Sequence, residues 1–443
     1  MEFLTGYFHA VYVYFYNILF NTTWLEKIVL VLPYLLFEFP FLVATLVLLT
    51  LKYRFGFFQK KRDFSLTPDV SVIVTAYNEG KDVSLSIVSL LEQNYRGNIE
   101  IIVVVDGAKI NRETYIEAKK FEGNIRKNRT VKVIPKWERG GRASSLNLGE
   151  KEATGEIIMA VDGDTSFDID MVSNAVSYMV ADKQLVAMSG NLRIRNWNRN
   201  LVTRMQAIEY ILSIYLSKQV LEILGTLNNI SGAFGIFRKQ LLDSINGWDA
   251  GTAEDLDITL RIKKYRSIYP RIKLGFAEDA IGLTDGPDTW KGLLKQRQRW
   301  DGDLVYMFFR KHRNIFNFSI SGIKEIFYLF YTSIIQQFLL PVVILVYYIY
   351  LFLHFDNLSV MAIVTLIYVV YLIHTGVLFL FFVFFVSERK NWDIKLIPFI
   401  PLFPVYGFIL KMNSLYAYTD EVLFKQHKLS SYVPPWVSRK SKF

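Results

Sequence analysis

Two aspartates separated by one glycine close an apolar run of strand length, Ile157-Ile158-Met159-Ala160-Val161-Asp162-Gly163-Asp164. A run so continuously apolar is buried on both faces, as in a parallel sheet. Asp162 and Asp164 then emerge at the carboxyl end of the strand, where open α/β sheets bind ligands. Two hard oxygen donors this close suit a divalent cation that also holds phosphates, because Mg²⁺ and Mn²⁺ favour a few carboxylates completed by substrate oxygens. A solvated Asp-Gly-Asp turn explains the same residues without chemistry, since both residue types favour turns. Other acidic residues also stand at element ends. Asp106-Gly107 follows an expected strand over 100–105, and Glu254-Asp255 opens a helix running through Ile258, Leu260 and Ile262. Helix capping alone would account for that last pair, at about 1 kcal/mol. A basic helix over 290–313 carries Gln296-Arg297-Gln298-Arg299-Trp300, and its plain reading is a cationic helix meeting lipid headgroups.

The elements that must position these groups read as strand, helix, strand, helix. Val70-Ser71-Val72-Ile73-Val74-Thr75-Ala76 is a buried strand, and Tyr77-Asn78-Glu79-Gly80 is the turn after it. A helix over 81–93, strands over 100–105 and 131–134, the basic glycine-rich Lys136–Arg142 stretch and a helix over 143–152 lead to the Asp162 strand. Polar residues at each strand's end make this a doubly wound α/β pattern. Ser189 to Arg195 reads as a further strand with alternating cations. The segment over 201–224 has helical period and is apolar on more than one side, which favours a helix on a membrane surface over a core helix. The small residues of Ser231-Gly232-Ala233 allow a backbone to approach a ligand. A dinucleotide fingerprint, a Walker loop, a His-containing metal motif and a serine nucleophile elbow are all absent from the sequence.

The chain has 443 residues, 52% hydrophobic and 16% aromatic, with a mean hydropathy of +0.23. The apolar residues concentrate at the two ends, so membrane segments flank a globular middle. Residues 1–20 are an interfacial helix or a short span. With no cation before them and no small-residue cleavage site after, they do not read as a removable signal peptide. Residues 28–51 are long enough to cross a bilayer, and Lys52, Arg54, Lys60, Lys61 and Arg62 follow them, which places the next domain in the cytoplasm. Glu38 within this span is buried against other helices or faces an aqueous path. Further spans are expected at 326–352, with Gln336 and Gln337 inside, and at 360–386. The stretch over 394–410, broken by Pro398, Pro401 and Pro404, crosses or re-enters. The division is therefore 1–62 membrane segments, 63–290 catalytic domain, 291–322 interface helices, 323–412 spans and 413–443 a basic tail. The net charge of +10 belongs with the membrane and not with nucleic acid, because the cations cluster beside the spans. There is no cysteine, which excludes disulfides, thiolate metal sites and a cysteine nucleophile, and the five histidines lack ligand spacing.

Taken in order, Asp106, Asp162-Gly163-Asp164, Glu254-Asp255 and Gln296-x-x-Arg299-Trp300 resemble the signatures of the processive membrane glycosyltransferases of family 2, which make hyaluronan, chitin, cellulose and poly-N-acetylglucosamine. The nearest likeness is to poly-N-acetylglucosamine synthases, through Gly190 to Arg195 and Ser231-Gly232. The resemblance implies a GT-A-type α/β cytoplasmic domain flanked by transmembrane helices. It implies a nucleotide-sugar pocket at Tyr77, Asn78, Glu79, Asp106 and Asp162, with Arg139 and Arg142 meeting phosphates. It further implies Mg²⁺ or Mn²⁺ on Asp164 and Asp162, Asp255 as general base with Glu254 beside it, and an acceptor and pyrophosphate site at Gln296, Arg299 and Trp300. Family members commonly have Thr before the acidic pair, where this chain has Ala253. The implied partners are a UDP-sugar donor, a growing polysaccharide or oligosaccharide acceptor, membrane lipids and a small accessory membrane subunit. Inversion in a β-linked polymerase is the expected reaction. The alternatives are transfer of one sugar to a lipid or short acceptor, and a catalytically silent export subunit, which would not need every motif carboxylate intact.

Overall fold

A computed structural model describes residues 33–126, 128–249, 251–318 and 322–425, together with isolated positions between 6 and 23. The first segment and the start of the 28–51 span therefore lie largely outside the described residues, as does the basic tail from 426 onward. The chain divides into two units, Phe58–Phe327 with the residues from Ala417, and the residues up to Phe57 with Tyr328–Tyr416.

Among the described residues the first unit is built on nine strands: β1 Val70–Ala76, β2 Ile99–Asp106, β3 Gly123–Arg126, β4 Arg129–Lys136, β5 Ile157–Asp162, β6 Ser166–Phe167, β7 Leu185–Ile194, β8 Phe234–Arg238 and β9 Lys273–Thr284. Their order across the sheet is β3-β4-β2-β1-β5-β8-β7-β9-β6. β4, β2, β1 and β5 run parallel, and every residue of β1 is buried, as the unbroken apolar runs require. The chain passes from β1 outward through β2 to β4, then returns to place β5 on β1's other side. That reversal leaves a crevice at the carboxyl ends of β1 and β5. The register sets Thr75 opposite Asp162, so the turn at 77–80 and the Asp162-Gly163-Asp164 turn leave the sheet side by side.

The doubly wound pattern stops at β5. β8 pairs antiparallel with both β5 and β7, while β7 pairs parallel with β9, giving a mixed sheet beyond the switch point. Helices cover the faces. The Arg142–Glu152 helix comes so near β1 that a Cβ at Gly149 would sit 2.4 Å from Ile73 Cγ2. Any larger side chain there would force the two apart.

The segment over 201–224 corrects one expectation. It forms a helix from Leu201 to Ile223 with a π-helical turn at Ile211–Leu216, and it packs against β7 and β9. Val202, Met205, Ile208, Ile211, Leu216, Val220 and Leu221 are all buried. An apolar surface on several sides marks a helix enclosed by protein here, and not one lying on lipid.

In the second unit, a helix Phe39–Phe55 ends at Gly56, whose left-handed conformation (φ +74°) lets its amide reach back to the last carbonyls. Among the described residues, three helical stretches are long and apolar enough to cross a membrane, Ile323–His354, Asn357–Val386 and Lys390–Phe424. The last contains the proline-broken stretch as a 3₁₀ run, Ile394–Leu402, leading into the helix Phe403–Phe424. Polar side chains of these helices find one another. Tyr371 donates to Glu38 Oε1 at 3.1 Å, Tyr331 and Gln336 both donate to the Phe37 carbonyl, and Lys411 donates to the Gln336 carbonyl at 3.0 Å. Such pairing is what an apolar solvent demands of buried polar groups.

Candidate active site

The strand ends bring the expected residues into two linked groups. On the first side, β1 leads into Asn78, which takes the left-handed conformation (φ +70°) that Asn tolerates, and this turns Glu79 back toward β5. Glu79 Oε2 is enclosed without a hydrogen-bond partner. Burial, reinforced by the charges of Asp164 and Asp162, pushes its carboxyl up to about 8. Asp164, half-buried beside Asp162, is pushed up to about 6 by its partial burial and the charge of Asp162, and the Thr165 hydroxyl is its bonded neighbour. Glu79 and Asp164 thus crowd one corner with too little positive charge beside them, while the neighbouring Asp162 is paired with Arg142. Among the described residues, no three His, Cys, Asp or Glu side chains are arranged to hold a metal ion by themselves. A cation here would have to complete its shell from water or phosphate, which is how Mg²⁺ is ordinarily held.

Asp106 differs. Its Oδ1 accepts from Lys136 Nζ at 2.7 Å and Gly140 N at 2.8 Å, and its Oδ2 from Gly141 N at 2.9 Å. The last strand residue of β2 therefore anchors the basic loop, and Gly141 (φ +83°) supplies the turn that aims these amides. Arg139, expected at phosphates, lies with its guanidinium carbon 4.2 Å from the centre of the ring of Tyr77, a residue of the expected nucleotide-sugar pocket.

Arg142 joins the two groups. Its Nε donates to Asp162 Oδ1 at 2.9 Å, one terminal nitrogen to Glu254 Oε1 at 2.5 Å, and the other to the Gly232 carbonyl at 2.5 Å. Expected at phosphates, it is instead the bridge between the β5 turn and the head of the Glu254–Ile268 helix. Its carboxylate partners hold the guanidinium above its ordinary range despite burial.

On the second side stands Asp255. Its Oδ1 accepts from Leu256 N at 2.7 Å, and its Oδ2 from Gly232 N at 3.1 Å and Asn229 Nδ2 at 3.4 Å. Burial and the neighbouring charge of Glu254 raise its pKa, the direction a general base working near neutrality needs. Ala253, just before the pair, sits at φ +51°, a conformation costly for a residue with a Cβ and one that collects at functional sites.

The Trp290–Tyr306 helix carries the remaining motif. Arg297 is buried, donates to Glu209 Oε2 at 2.9 Å, and lies 4.2 Å from the centre of the Trp300 ring. Gln296 Oε1 is enclosed with no partner, an acceptor awaiting a donor. The charge of Arg299 works against the rise of the buried Asp303 carboxyl. Burial foremost, helped by Glu254 and Asp255, lifts Asp303 to about 7. Burial raises the pKa of the Tyr210 hydroxyl, with Arg297 opposing the shift and Glu209, Asp164 and Asp162 adding to it.

Lys136, Arg297, Asn229 and Lys218 join this cluster without having been singled out from sequence. Lys136 and Arg297 lie inside stretches that were, and adjacency to a motif was the available signal. Nothing local marks Asn229 or Lys218.

Residues 71–245 match the family described as Glycosyl transferase family 2. Curated relatives include a poly-beta-1,6-N-acetyl-D-glucosamine synthase of Staphylococcus epidermidis strain RP62A, 31% identical over 244 residues, covering 54% of this chain and 55% of that protein. Another is the synthase of the same name in Staphylococcus aureus strain COL, 29% identical over 257 residues, covering 55% of this chain and 59% of that protein. The matched region thus spans a little over half the length of these relatives. Among solved structures, a mannosyltransferase from Pyrobaculum calidifontis in complex with GDP-mannose and Mn²⁺ aligns with a TM-score of 0.54 at 18% identity, over 86% of this chain and 95% of that one, a likeness of fold. The GT-A-like mixed sheet, with Glu79, Asp162 and Asp164 at its switch point, thus coincides with the residues that are similar to the Glycosyl transferase family 2 model.

Proposed function

We propose that the chain is a membrane-embedded, inverting glycosyltransferase that builds a β-linked polysaccharide from a UDP-sugar, with UDP-N-acetylglucosamine the first candidate, and passes the product through its own spans. The observation that carries this reading is the Arg142 bridge, which ties Asp162 to Glu254 and so holds the base Asp255 at a fixed station beside the β5 turn. The acceptor hydroxyl oxygen bonds to the anomeric carbon while the bond from that carbon to the diphosphate breaks. The proton passes to Asp255, and the bonding pair leaves with UDP. One displacement at one centre inverts it, so an α-linked donor gives a β-linked product. Trp300 offers a ring face to a sugar, and Gln296 Oε1 an acceptor for a hydroxyl.

Asp164 and Asp162 are the residues that would hold Mg²⁺ or Mn²⁺, and the enclosed, unpartnered Glu79 oxygen fits a corner designed for more positive charge than the protein provides. Such a cation, when bound, offsets charge developing on the departing diphosphate. The cations Lys52 and Arg54 at the end of the Phe39–Phe55 helix support a cytoplasmic catalytic unit. The polar side chains Glu38, Gln336 and Lys411 within the spans support a path for a hydroxylated polymer.

The purified full chain, incubated with single UDP-sugars and either cation, is expected to release UDP with one sugar in strong preference and to make long product on gels. An α-linkage by NMR would remove inversion, and products lengthened by one residue would favour transfer to a short or lipid acceptor.

A further inference from the structure

We propose that Lys218 is a positioning residue for the general base, holding from behind the loop that supplies two of the hydrogen bonds to Asp255. The inference rests on the assignment of Asp255 as base. Lys218 lies on the Ser217–Ile223 helical segment, directly after the π-helical turn, and is 4% exposed. Its ammonium donates to Ser189 Oγ on β7 at 2.8 Å and to the Asn229 carbonyl at 3.1 Å. No carboxylate lies within ion-pair distance of it among the described residues, so a buried cation is held here by neutral groups, a costly arrangement.

Both of its bonds lead to the same atom. Asn229 passes the contact on through its side chain, whose Nδ2 donates to Asp255 Oδ2 at 3.4 Å. Ser189 Oγ accepts from Ser231 N at 3.2 Å, and the next amide, Gly232 N, donates to Asp255 Oδ2 at 3.1 Å. Two routes therefore run from one ammonium to one carboxylate oxygen, leaving Oδ1, whose single bond is to its own helix, as the oxygen free to take a proton. The positive charge behind the loop also favours the ionised carboxylate. Burial brings Lys218 down to about 8, with Asp255 drawing it the other way. The other charged groups acting on Asp255 are Glu254 on its own helix, Arg142 from the Arg142–Glu152 helix and Asp303 from the Trp290–Tyr306 helix.

The experiment is the pH profile of kcat for sugar transfer by the full chain in its membrane or detergent preparation, for Lys218→Met, Lys218→Arg and Asp255→Asn. Lys218→Met is expected to lower kcat about 100-fold, as a small misplacement of a reacting group does. The donor KM should be unchanged and the acidic limb of the profile should move to higher pH. Lys218→Arg, which keeps the charge, should leave that limb where the parent has it. A Lys218→Met enzyme with parental kcat and an unmoved limb overturns the assignment, as does a loss confined to donor KM. If Lys218→Met is not recovered folded, Ser189→Ala, which cuts one route, is expected to slow turnover about fivefold at unchanged donor KM, and parental turnover overturns it equally. Asp255→Asn separates the two readings. An inactive Asp255→Asn beside an unaffected Lys218→Met refutes the Lys218 role alone, whereas an active Asp255→Asn refutes the base and Lys218 with it.

Discussion

Asp255 and Asp257 stand two residues apart on one helix, both enclosed, yet their surroundings drive them in opposite directions. Asp255 receives only neutral hydrogen bonds, and burial together with the charge of Glu254 raises its pKa. Asp257 has its Oδ1 bonded to Lys311 Nζ at 2.8 Å and His312 Nε2 at 2.7 Å, and its Oδ2 to Arg261 Nε at 2.8 Å. Against the burial that would lift it, the bond from His312 and the charges of Lys311 and Arg261 hold its carboxyl far below the usual range. Lys264 Nζ lies 2.8 Å from His312 Nδ1 and can only donate there, so the imidazole is neutral and carries its proton on Nε2. An alternate residue on the helix turns about 200° away, enough to take one carboxylate to the reacting side and the other to the segment after the Trp290–Tyr306 helix. Burial alone does not set the direction in which a carboxyl's pKa moves. Whether a cation touches it does.

Removing each carboxylate should separate the two roles. Asp255→Asn is expected to slow transfer about 100- to 10,000-fold, the contribution of a positioned general base, while donor affinity and the unfolding midpoint stay near the parent's. Radiolabelled sugar incorporation and thermal melts check both. Asp257→Ala is expected to do the reverse in kind, stranding Lys311, His312 and Arg261 and destabilising the fold by about 3–5 kcal/mol, read as a lowered unfolding midpoint. The sign with pH follows. A carboxyl depressed in the folded state contributes stability above its ordinary value of 3.8 and loses it as pH falls toward the folded value. The parent should therefore lose stability in acid more steeply than Asp257→Asn.

The corner of Glu79 and Asp164 extends the comparison, because it too is short of positive charge. Raised carboxyls near 8 and 6 oppose folding increasingly as pH rises from their ordinary values of 4.5 and 3.8 up to the raised ones. Across that range the unfolded chain is already ionised and the folded one is not, and above it the penalty is constant. A divalent cation must displace the protons they hold, so Mn²⁺ affinity should climb with pH from about 6 to about 8, up to tenfold per unit for each proton released. Glu79→Gln should confine that climb to the lower end. Calorimetric titration at several pH values distinguishes the two. The smallest effect is expected at Ala253. Its left-handed backbone costs about 1–2 kcal/mol, part of which glycine recovers, so Ala253→Gly should raise the unfolding midpoint slightly, measured by the same melts.

Much of the first half of the sheet was legible because parallel strands buried on both faces leave unbroken apolar runs, and β1, β2 and β5 fall where those runs do. The second half was not, because the direction in which β8 meets β5 and β7 depends on long-range pairing that no local pattern records. The helix over 201–224 was misread for a related reason. An apolar surface on several sides is the same whether the surrounding oil is lipid or protein, and only β7 and β9 packed against it decide which.

The same division holds within the site. The sequence alone determined which side chains bear charge and which strand ends present them, since carboxylates that follow apolar strands must leave the sheet at its edge. It determined the order Asp106, Asp162, Asp164, Glu254, Asp255 and the Gln296–Trp300 stretch, and with it the kind of chemistry. Only the tertiary structure decided who neutralises whom. Arg142 goes to Asp162 and Glu254, Lys136 to Asp106, Lys311 to Asp257, and Lys218, among the described residues, to no carboxylate. Hydrogen bonds and charge pairing act over a few ångströms in space, and residues that close in the fold lie 20 to 112 positions apart along the chain in the case of Arg142 alone.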